Sequence, residues 1–137
     1  MEAKVTIEVT LDQAKILVKA LDLYTRMGIG QVEEIGSLIR HGIIPREVNM
    51  VDHDKVHSAI NLLKDSLGLS WNGSYGLGHE KVSLFTHRAY EMEKVIDKAI
   101  SVYQNPNPEF KGVNYNGLTV RYTEDRMPVC SVEGNGG

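Results

Sequence analysis

The longest periodic stretch of the chain is residues 82–103, with the sequence VSLFTHRAYEMEKVIDKAISVY. Its apolar residues recur at alternating spacings of three and four, as they do on one face of an α-helix: Val82, Phe85, Ala89, Met92, Ile96, Ala99 and Tyr103. This pattern predicts a long helix that lies on a core or pairs with a copy of itself. The helix is predicted to start either just after Gly78 or at Ser83, and to end at Asn105-Pro106-Asn107-Pro108.

A second long helix is predicted upstream, from Thr10 to about Met27. Thr10 and Gln13 have the spacing of a capping box, in which each side chain accepts the backbone N–H of the other residue. Its apolar residues form two stripes, with Ala14, Leu17, Leu21 and Tyr24 in one and Ile16, Ala20, Leu23 and Met27 in the other. A helix this apolar needs cover on two sides, so a second subunit is a candidate for one of them.

Two shorter helices are predicted between the long ones. Gly28-Ile29-Gly30 ends the first helix, and a short helix follows it and ends before Gly42 and Pro45. Asp52 is predicted to cap a third helix, which Gly68 ends.

Alternating apolar residues predict strands near both ends of the chain. Val5, Ile7 and Val9 indicate an N-terminal strand with one buried face. Asn116-Gly117 predicts a hairpin turn near the C-terminus, and Met127 to Val132 could add one more strand. We therefore expect an α+β fold, in which a small antiparallel sheet, made of the N-terminal strand and the C-terminal hairpin, packs with about four helices.

The composition agrees with one globular domain. The chain has 137 residues, of which 42% are hydrophobic and 24% charged, and its formal net charge is −3. These values exclude a disordered, collagen-like or coiled-coil protein, and a negatively charged chain is a poor candidate for binding duplex nucleic acid. We therefore predict a single α+β domain over residues 1–132, followed by a flexible tail over residues 133–137.

The sequence also predicts an intracellular location. No apolar run reaches the roughly 18 residues of a membrane-spanning helix, and the first residues lack the charged-then-apolar order of a signal peptide. Cys130 is the only cysteine, so no internal disulfide can form and a reducing compartment is expected. Its apolar neighbours Val129 and Val132 indicate a small core residue.

A glycine-rich loop precedes the last helix. Gly73, Gly76 and Gly78 come just before it, and free backbone N–H groups at a helix start can bind a phosphate. The loop is neither a Walker sequence nor a dinucleotide motif. The alternative interpretation is a connector that needs glycine for its backbone conformation.

Arg121 is the arginine most indicative of a binding site. It lies between Thr119 and Thr123 on the predicted strand, with Tyr122 beside it. Because arginine pairs with phosphate and an aromatic ring stacks on a base, this face suits a phosphorylated, aromatic ligand. The alternative is an exposed sheet face without a ligand.

Other arginines give weaker signals. Arg26 follows Asp22 by four residues, a spacing that favours an ordinary ion pair on a helix. Arg88 lies on the last helix, and Arg126 lies just beyond the predicted hairpin.

No arrangement of residues indicates catalysis. His53 and His57 are one helical turn apart, a spacing that can hold a metal, but the zincin motif is missing and no third ligand is fixed by spacing. His87 and Glu91 are predicted to pair on the surface. Without a nucleophile elbow, paired carboxylates or a Cys–His arrangement, we predict no catalytic residue, no metal site, no cofactor and no enzymatic activity.

Three stretches together carry a family resemblance: ALDLYTRMGIGQ at residues 20–31, the loop from Gly73 to Val82 that leads to Ala89-Tyr90, and GLTVRYT at residues 117–123. The combination resembles small proteins encoded by bacteriophages and prophages. Among these it is most similar to the first type of Thoeris anti-defence protein. The similarity extends from Thr10 to about Val129, over most of the chain.

The resemblance implies a nucleotide sponge. Such proteins capture cyclic ADP-ribose isomers made by bacterial TIR-domain enzymes without cleaving them, so the defence effector is never activated. Related sponges also hold cyclic oligonucleotides in separate sites of a larger oligomer. The implied partners are a small cyclic nucleotide and further copies of the chain, as a dimer or an assembly of dimers, in the host bacterial cytoplasm. No membrane or duplex nucleic acid is implied.

The ligand contacts of this family are arginines, an aromatic residue and small polar groups. Arg26 and Arg121 match the two arginine-containing stretches. The loop and the flanking positions supply the remaining candidates for ligand binding: Asn72, Ser74, Tyr75, Phe85, Arg88 and Arg126.

Two alternative functions stay open at this point. One is a small metal-dependent hydrolase of a nucleotide signal, which would use His53 and His57. The other is a phage inhibitor that blocks a host protein by protein–protein contact.

Overall fold

A computed structural model describes residues 2–70, 73–106 and 121–134. Helices account for 54% of these residues. In chain order they are α1 (Leu11–Gly28), α2 (Glu34–Arg40), a 3-10 turn (Val48–Met50), α3 (His53–Ser66) and α4 (Leu84–Gln104).

The predicted capping box sets the start of α1. The Thr10 backbone N–H donates to Gln13 Oε1 at 2.9 Å, and the Gln13 N–H donates to Thr10 Oγ1 at 3.1 Å. Two backbone donors that lack partners inside the helix are satisfied in this way. The predicted helix start is confirmed, because capping depends only on residues three positions apart.

The other helix ends also follow the local sequence. Asp52 accepts from the Lys55 N–H at 3.1 Å at the start of α3, and Gly68 follows its end with a φ of +76°. That left-handed conformation is easy only for glycine. Ser83 Oγ accepts from the Thr86 N–H at 3.2 Å, so Ser83 is the correct one of the two predicted starts of α4.

The predicted sheet is wrong for the part of the chain that the structure describes. Residues 2–70, 73–106 and 121–134 contain no strand, so the fold there is helical and not α+β. Val5, Ile7 and Val9 lie in a segment without regular structure, and Val5 is 87% exposed. Residues 127–132 likewise form no ladder. A period of two makes a strand only where another edge pairs with it and a surface covers its apolar face. Asn116-Gly117 and the rest of the predicted hairpin up to residue 120 lie outside the described residues.

The chain divides into two compact units. The first consists of Met1–Asp22 with Arg88–Gly137, and the second is Leu23–His87. Helices α1 and α4 each contribute to both. The single domain over residues 1–132 and the tail over residues 133–137 stay predictions.

The period of α4 agrees with the sequence, but the phase of its buried face differs. Val82 and Ala89 are buried as expected, whereas Phe85 is 65% exposed and Thr86 takes its place inside. Glu93 and Ile100 continue the same buried stripe, one position beyond the predicted Met92 and Ala99. A Cβ at Gly28 would overlap the Thr86 side chain, so glycine at position 28 leaves room for the threonine. Among the described helices, none is both long and apolar enough to cross a membrane.

Candidate functional site

Two arginines meet on one acidic residue in the first unit. Arg88 donates to the Asp125 carboxylate through Nε, at 2.7 Å from Oδ2, and through Nη2, at 3.3 Å from Oδ1. Arg121 donates from Nη2 to the Asp125 backbone carbonyl. Both arginines are exposed. We call Arg88, Arg121 and Asp125 the arginine cluster.

A buried carboxylate on α4 holds the chain segment that carries Arg121. Glu91 Oε2 accepts from the backbone N–H groups of Tyr122 at 2.7 Å and Thr123 at 2.9 Å. Glu91 Oε1 accepts from the Thr123 hydroxyl at 2.5 Å. Hydrogen bonds to a charged acceptor are about twice as strong as neutral ones, so they fix residues 122–123 against α4.

The charges around the cluster are stable at neutral pH. Burial alone would raise the pKa of Glu91, but the hydrogen bonds from Thr123 and Tyr122, with the positive charge of Arg121, hold it below its ordinary value. The hydrogen bond from Arg88 likewise lowers the pKa of Asp125, and the same bond raises the pKa of Arg88. Both carboxylates therefore stay ionised and Arg88 stays cationic.

Two tyrosines close in the chain to the arginine cluster contact each other. The rings of Tyr90 and Tyr122 meet edge to face, with 5.6 Å between their centroids and 69° between their planes. Lys94 Nζ lies 5.6 Å from the centroid of the Tyr90 ring. Guanidinium groups can bind phosphate oxygens and aromatic rings can stack on a base, so the two kinds of side chain together suit a nucleotide.

Arg26 lies in the second unit and already has partners there. Its Nη1 donates to Gln31 Oε1 at 3.1 Å and lies 3.6 Å from Glu34 Oε1. These contacts hold the guanidinium against the turn between α1 and α2.

The loop candidates also belong to the second unit. The Tyr75 N–H donates to the Ile29 carbonyl at 2.8 Å, and its ring lies 4.7 Å from the ring of His79, centroid to centroid. Ser74 is exposed, and Asn72 lies outside the described residues.

The predicted site residues thus fall into two groups. Arg88 and Arg121 are brought together by Asp125, and Arg126 follows as an exposed neighbour in the chain. Arg26, Ser74, Tyr75 and Phe85 belong to the second unit. Their membership of one ligand site stays a prediction.

Sequence reasoning missed the residues that organise the arginine cluster. Glu91 is predicted as a surface residue, but it is 2% exposed, and that prediction is wrong. The sequence gives no signal for Asp125 and marks Thr123 only as a neighbour of Arg121, because a contact across more than 30 positions of the chain leaves no periodic pattern. The one available hint is that Glu91 lies three residues after Arg88, on the neighbouring turn of the same helix.

The second unit contains a polar cavity of about 330 Å³. Its polar lining comes from α2 with its preceding residue and from α3: Glu33, Glu34, Ser37, Arg40, His53, His57 and Asn61. Next to it, Lys64 Nζ donates to Glu33 Oε2 at 2.7 Å. No group of three or more His, Cys, Asp or Glu side chains placed to hold a metal ion occurs within residues 2–70, 73–106 and 121–134.

The first unit contains a more apolar groove of about 670 Å³. The C-terminal half of α4 and residues 127–132 line it, and Cys130 is among them. Burial raises the pKa of the Cys130 thiol, as expected for an unreactive cysteine that is partly buried.

Comparison of the chain with protein-family models, with curated proteins and with solved structures finds no match.

Proposed function

We propose that this protein is a phage anti-defence protein that sequesters a cyclic ADP-ribose-type immune signal in the host bacterial cytoplasm without cleaving it. The proposal rests on the resemblance described above to the first type of Thoeris anti-defence protein. The observation that carries it is the arginine cluster, with the Tyr90–Tyr122 ring pair on residues close to it in the chain.

The cluster has the chemistry that such a ligand needs. Cyclic ADP-ribose carries a pyrophosphate and an adenine ring. A guanidinium has five N–H donors, and the Asp125 carboxylate engages only Nε and Nη2 of Arg88. Further donors on Arg88 and Arg121 can therefore bind phosphate oxygens, while a tyrosine ring offers a stacking surface to the base.

Binding without chemistry has a stoichiometric signature. Each site removes one ligand molecule, whereas an enzyme would convert many. A slight excess of protein should remove cyclic ADP-ribose from the free pool, and heating should release it with its original mass and retention time. Conversion of excess signal into a new product would contradict the proposal and favour the metal-dependent hydrolase. In that case His53 and His57, which both line the cavity of the second unit, are the first residues to replace.

Arg121 provides the sharpest mutational test. A charge-assisted hydrogen bond to phosphate corresponds to a change in affinity of about ten- to a hundredfold, so we expect Arg121→Ala to weaken binding by that factor in calorimetry. Arg46→Ala is the control, because Arg46 is exposed in the second unit and should bind like the wild type. Equal affinities of the wild type and Arg121→Ala would remove Arg121 from the site. Absence of binding by the wild type would favour inhibition through protein–protein contact.

We propose further copies of the chain as the second partner, because α1 leaves apolar side chains exposed. Ile16 is 62% exposed, and Tyr24 is exposed on the same helix. Large exposed apolar side chains on a helix are candidates for contact with another chain. We expect a dimer or an assembly of dimers in light scattering, and dissociation by Ile16→Glu. Lys19→Glu is the control on the same helix, and a monomer mass independent of concentration would contradict the proposal.

A further inference from the structure

We infer that Glu91 is a positioning residue for nucleotide binding, because its carboxylate holds residues 121–125 on α4 and keeps Arg121 next to Arg88. This inference rests on the proposed function, since the bound ligand is taken to be a cyclic ADP-ribose-type nucleotide. Glu91 itself is buried and is not expected to touch the ligand.

Contacts of residues 121–125 with α4 include those to Glu91, Tyr90 and Arg88. Thr123 and the Tyr122 N–H bind Glu91, the Tyr122 ring meets the Tyr90 ring, and Asp125 pairs with Arg88. The ion pair between Asp125 and Arg88 is exposed to water, where such pairs contribute little. Only the Glu91 contact combines a buried charge with three donors, so it is the dominant restraint on the segment.

The restraint matters because it acts before the ligand arrives. A guanidinium that is already held in place loses less conformational entropy on binding than one on a loose segment. Without Glu91, the ligand would have to order residues 121–125 as well. We therefore expect Glu91→Ala to weaken binding of cyclic ADP-ribose about tenfold or more.

Electrostatics alone predicts the opposite change in affinity for Glu91→Ala. Removal of a negative charge near Arg88 and Arg121 should strengthen the binding of an anion. Glu124→Gln is the matched control, because Glu124 is exposed in the same segment. It should bind as tightly as the wild type or slightly more tightly, while Glu91→Ala binds more weakly.

Conservative variants separate positioning from a general loss of structure. In Glu91→Gln the amide oxygen can still accept the backbone N–H groups of Tyr122 and Thr123, and the amide N–H₂ can donate to the Thr123 hydroxyl after that hydroxyl rotates. This variant should therefore recover most of the affinity lost in Glu91→Ala. Thr123→Val removes the hydroxyl that donates to Glu91 and accepts the Asp125 N–H at 3.3 Å, but it keeps the two backbone donors to Glu91 and should show a smaller loss.

A double-mutant cycle with Arg121→Ala decides whether Glu91 acts through Arg121. If it does, Glu91→Ala should cause little further loss of affinity in a chain that already carries Arg121→Ala. Additive losses, or an unchanged affinity of Glu91→Ala, would overturn the inference. If circular dichroism shows that Glu91→Ala does not fold, the same cycle with Thr123→Val replaces it.

Amide hydrogen exchange tests whether Glu91 restrains residues 122 and 123, and this measurement needs no bound nucleotide. The amides of Tyr122 and Thr123 should exchange faster in Glu91→Ala than in the wild type, whereas amides in α3 should not change. If wild-type protein does not bind cyclic ADP-ribose, the proposed function is wrong, and the inference about nucleotide binding falls with it. If the wild type binds but exchange at Tyr122 and Thr123 is unchanged in Glu91→Ala, only the role of Glu91 is wrong.

Discussion

Each compact unit buries a charged side chain, and the two charges are stabilised in different ways. Glu91 in the first unit accepts hydrogen bonds from neutral donors of Tyr122 and Thr123. Lys64 in the second unit has a side chain that is 0% exposed, and its ammonium binds Glu33, whose side chain is 39% exposed. The hydrogen bonds to the anion thus come from neutral groups, with the positive charge of the exposed Arg121 in addition, whereas the cation is bound by an opposite charge that water still reaches.

This difference determines which member of each contact can be removed at a small cost in stability. A charge that is deprived of its partner inside a protein is costly, whereas a charge that water can reach is rehydrated. In the second unit, Glu33 can be rehydrated but Lys64 cannot. In the first unit, loss of Glu91 leaves no charge behind, and the groups left without an acceptor are two backbone N–H groups and one hydroxyl.

The largest expected effect concerns the ion pair of the second unit. Glu33→Ala leaves a buried ammonium without its partner, and we expect a loss of about 3–5 kcal/mol in the free energy of unfolding. Lys64→Met should cost far less, because methionine fills a similar volume and Glu33 can be hydrated. Urea unfolding followed by circular dichroism measures both. Equal losses of unfolding free energy in Glu33→Ala and Lys64→Met would contradict the expectation that the buried ammonium is the costlier charge to leave unpaired.

An intermediate effect is expected for Glu91. Glu91→Ala removes the acceptor of three hydrogen bonds, and we expect a loss of about 1–3 kcal/mol in the free energy of unfolding at pH 7. Because the pKa of Glu91 is lowered in the folded protein, its contribution is present above the unfolded pKa of about 4.5 and is lost as the pH falls through the lowered value. The unfolding free energy of the wild type should therefore fall more steeply below pH 4.5 than that of Glu91→Gln. Equal slopes would show that Glu91 is not stabilised as the anion.

Local sequence was sufficient for the helices and insufficient for what lies between them. Thr10 and Gln13 predict the start of α1, and Asp52 predicts the start of α3, because a cap and its target are three residues apart. The buried face of α4 could not be predicted, because Thr86 is accommodated by the absence of a Cβ at Gly28, almost 60 positions away. The alternating apolar residues near the N-terminus do not show whether another strand is present to pair with that segment.

The same distinction between local sequence and distant contacts applies to the candidate site. Arginine and tyrosine can be recognised as residue types that bind nucleotides, so Arg88 and Arg121 were predicted. Both arginines bind Asp125, and Glu91 binds Thr123. These contacts depend on which distant segment of the chain packs against α4. Residue types therefore indicate the ligand chemistry, whereas only the fold reveals the positioning residue.

The smallest expected effect comes from the second buried carboxylate, Glu93, which lies two residues after Glu91 and whose pKa is shifted in the opposite direction. Burial, together with the negative charges of Asp22 and Asp97, raises the pKa of Glu93, although Lys94 Nζ at 3.4 Å acts in the other direction. A carboxylate with a raised pKa favours the folded state while it is protonated, below its unfolded pKa, and that contribution is lost as the pH rises through the raised folded value. Ionisation of Glu93 therefore opposes folding, and at pH 7 Glu93→Gln should raise the melting temperature by a few degrees at most. At pH 3, where Glu93 is already neutral, the same substitution should leave the melting temperature unchanged. A lower melting temperature for Glu93→Gln at pH 7 would mean that Lys94 stabilises the buried charge more than burial and the two aspartates disfavour it.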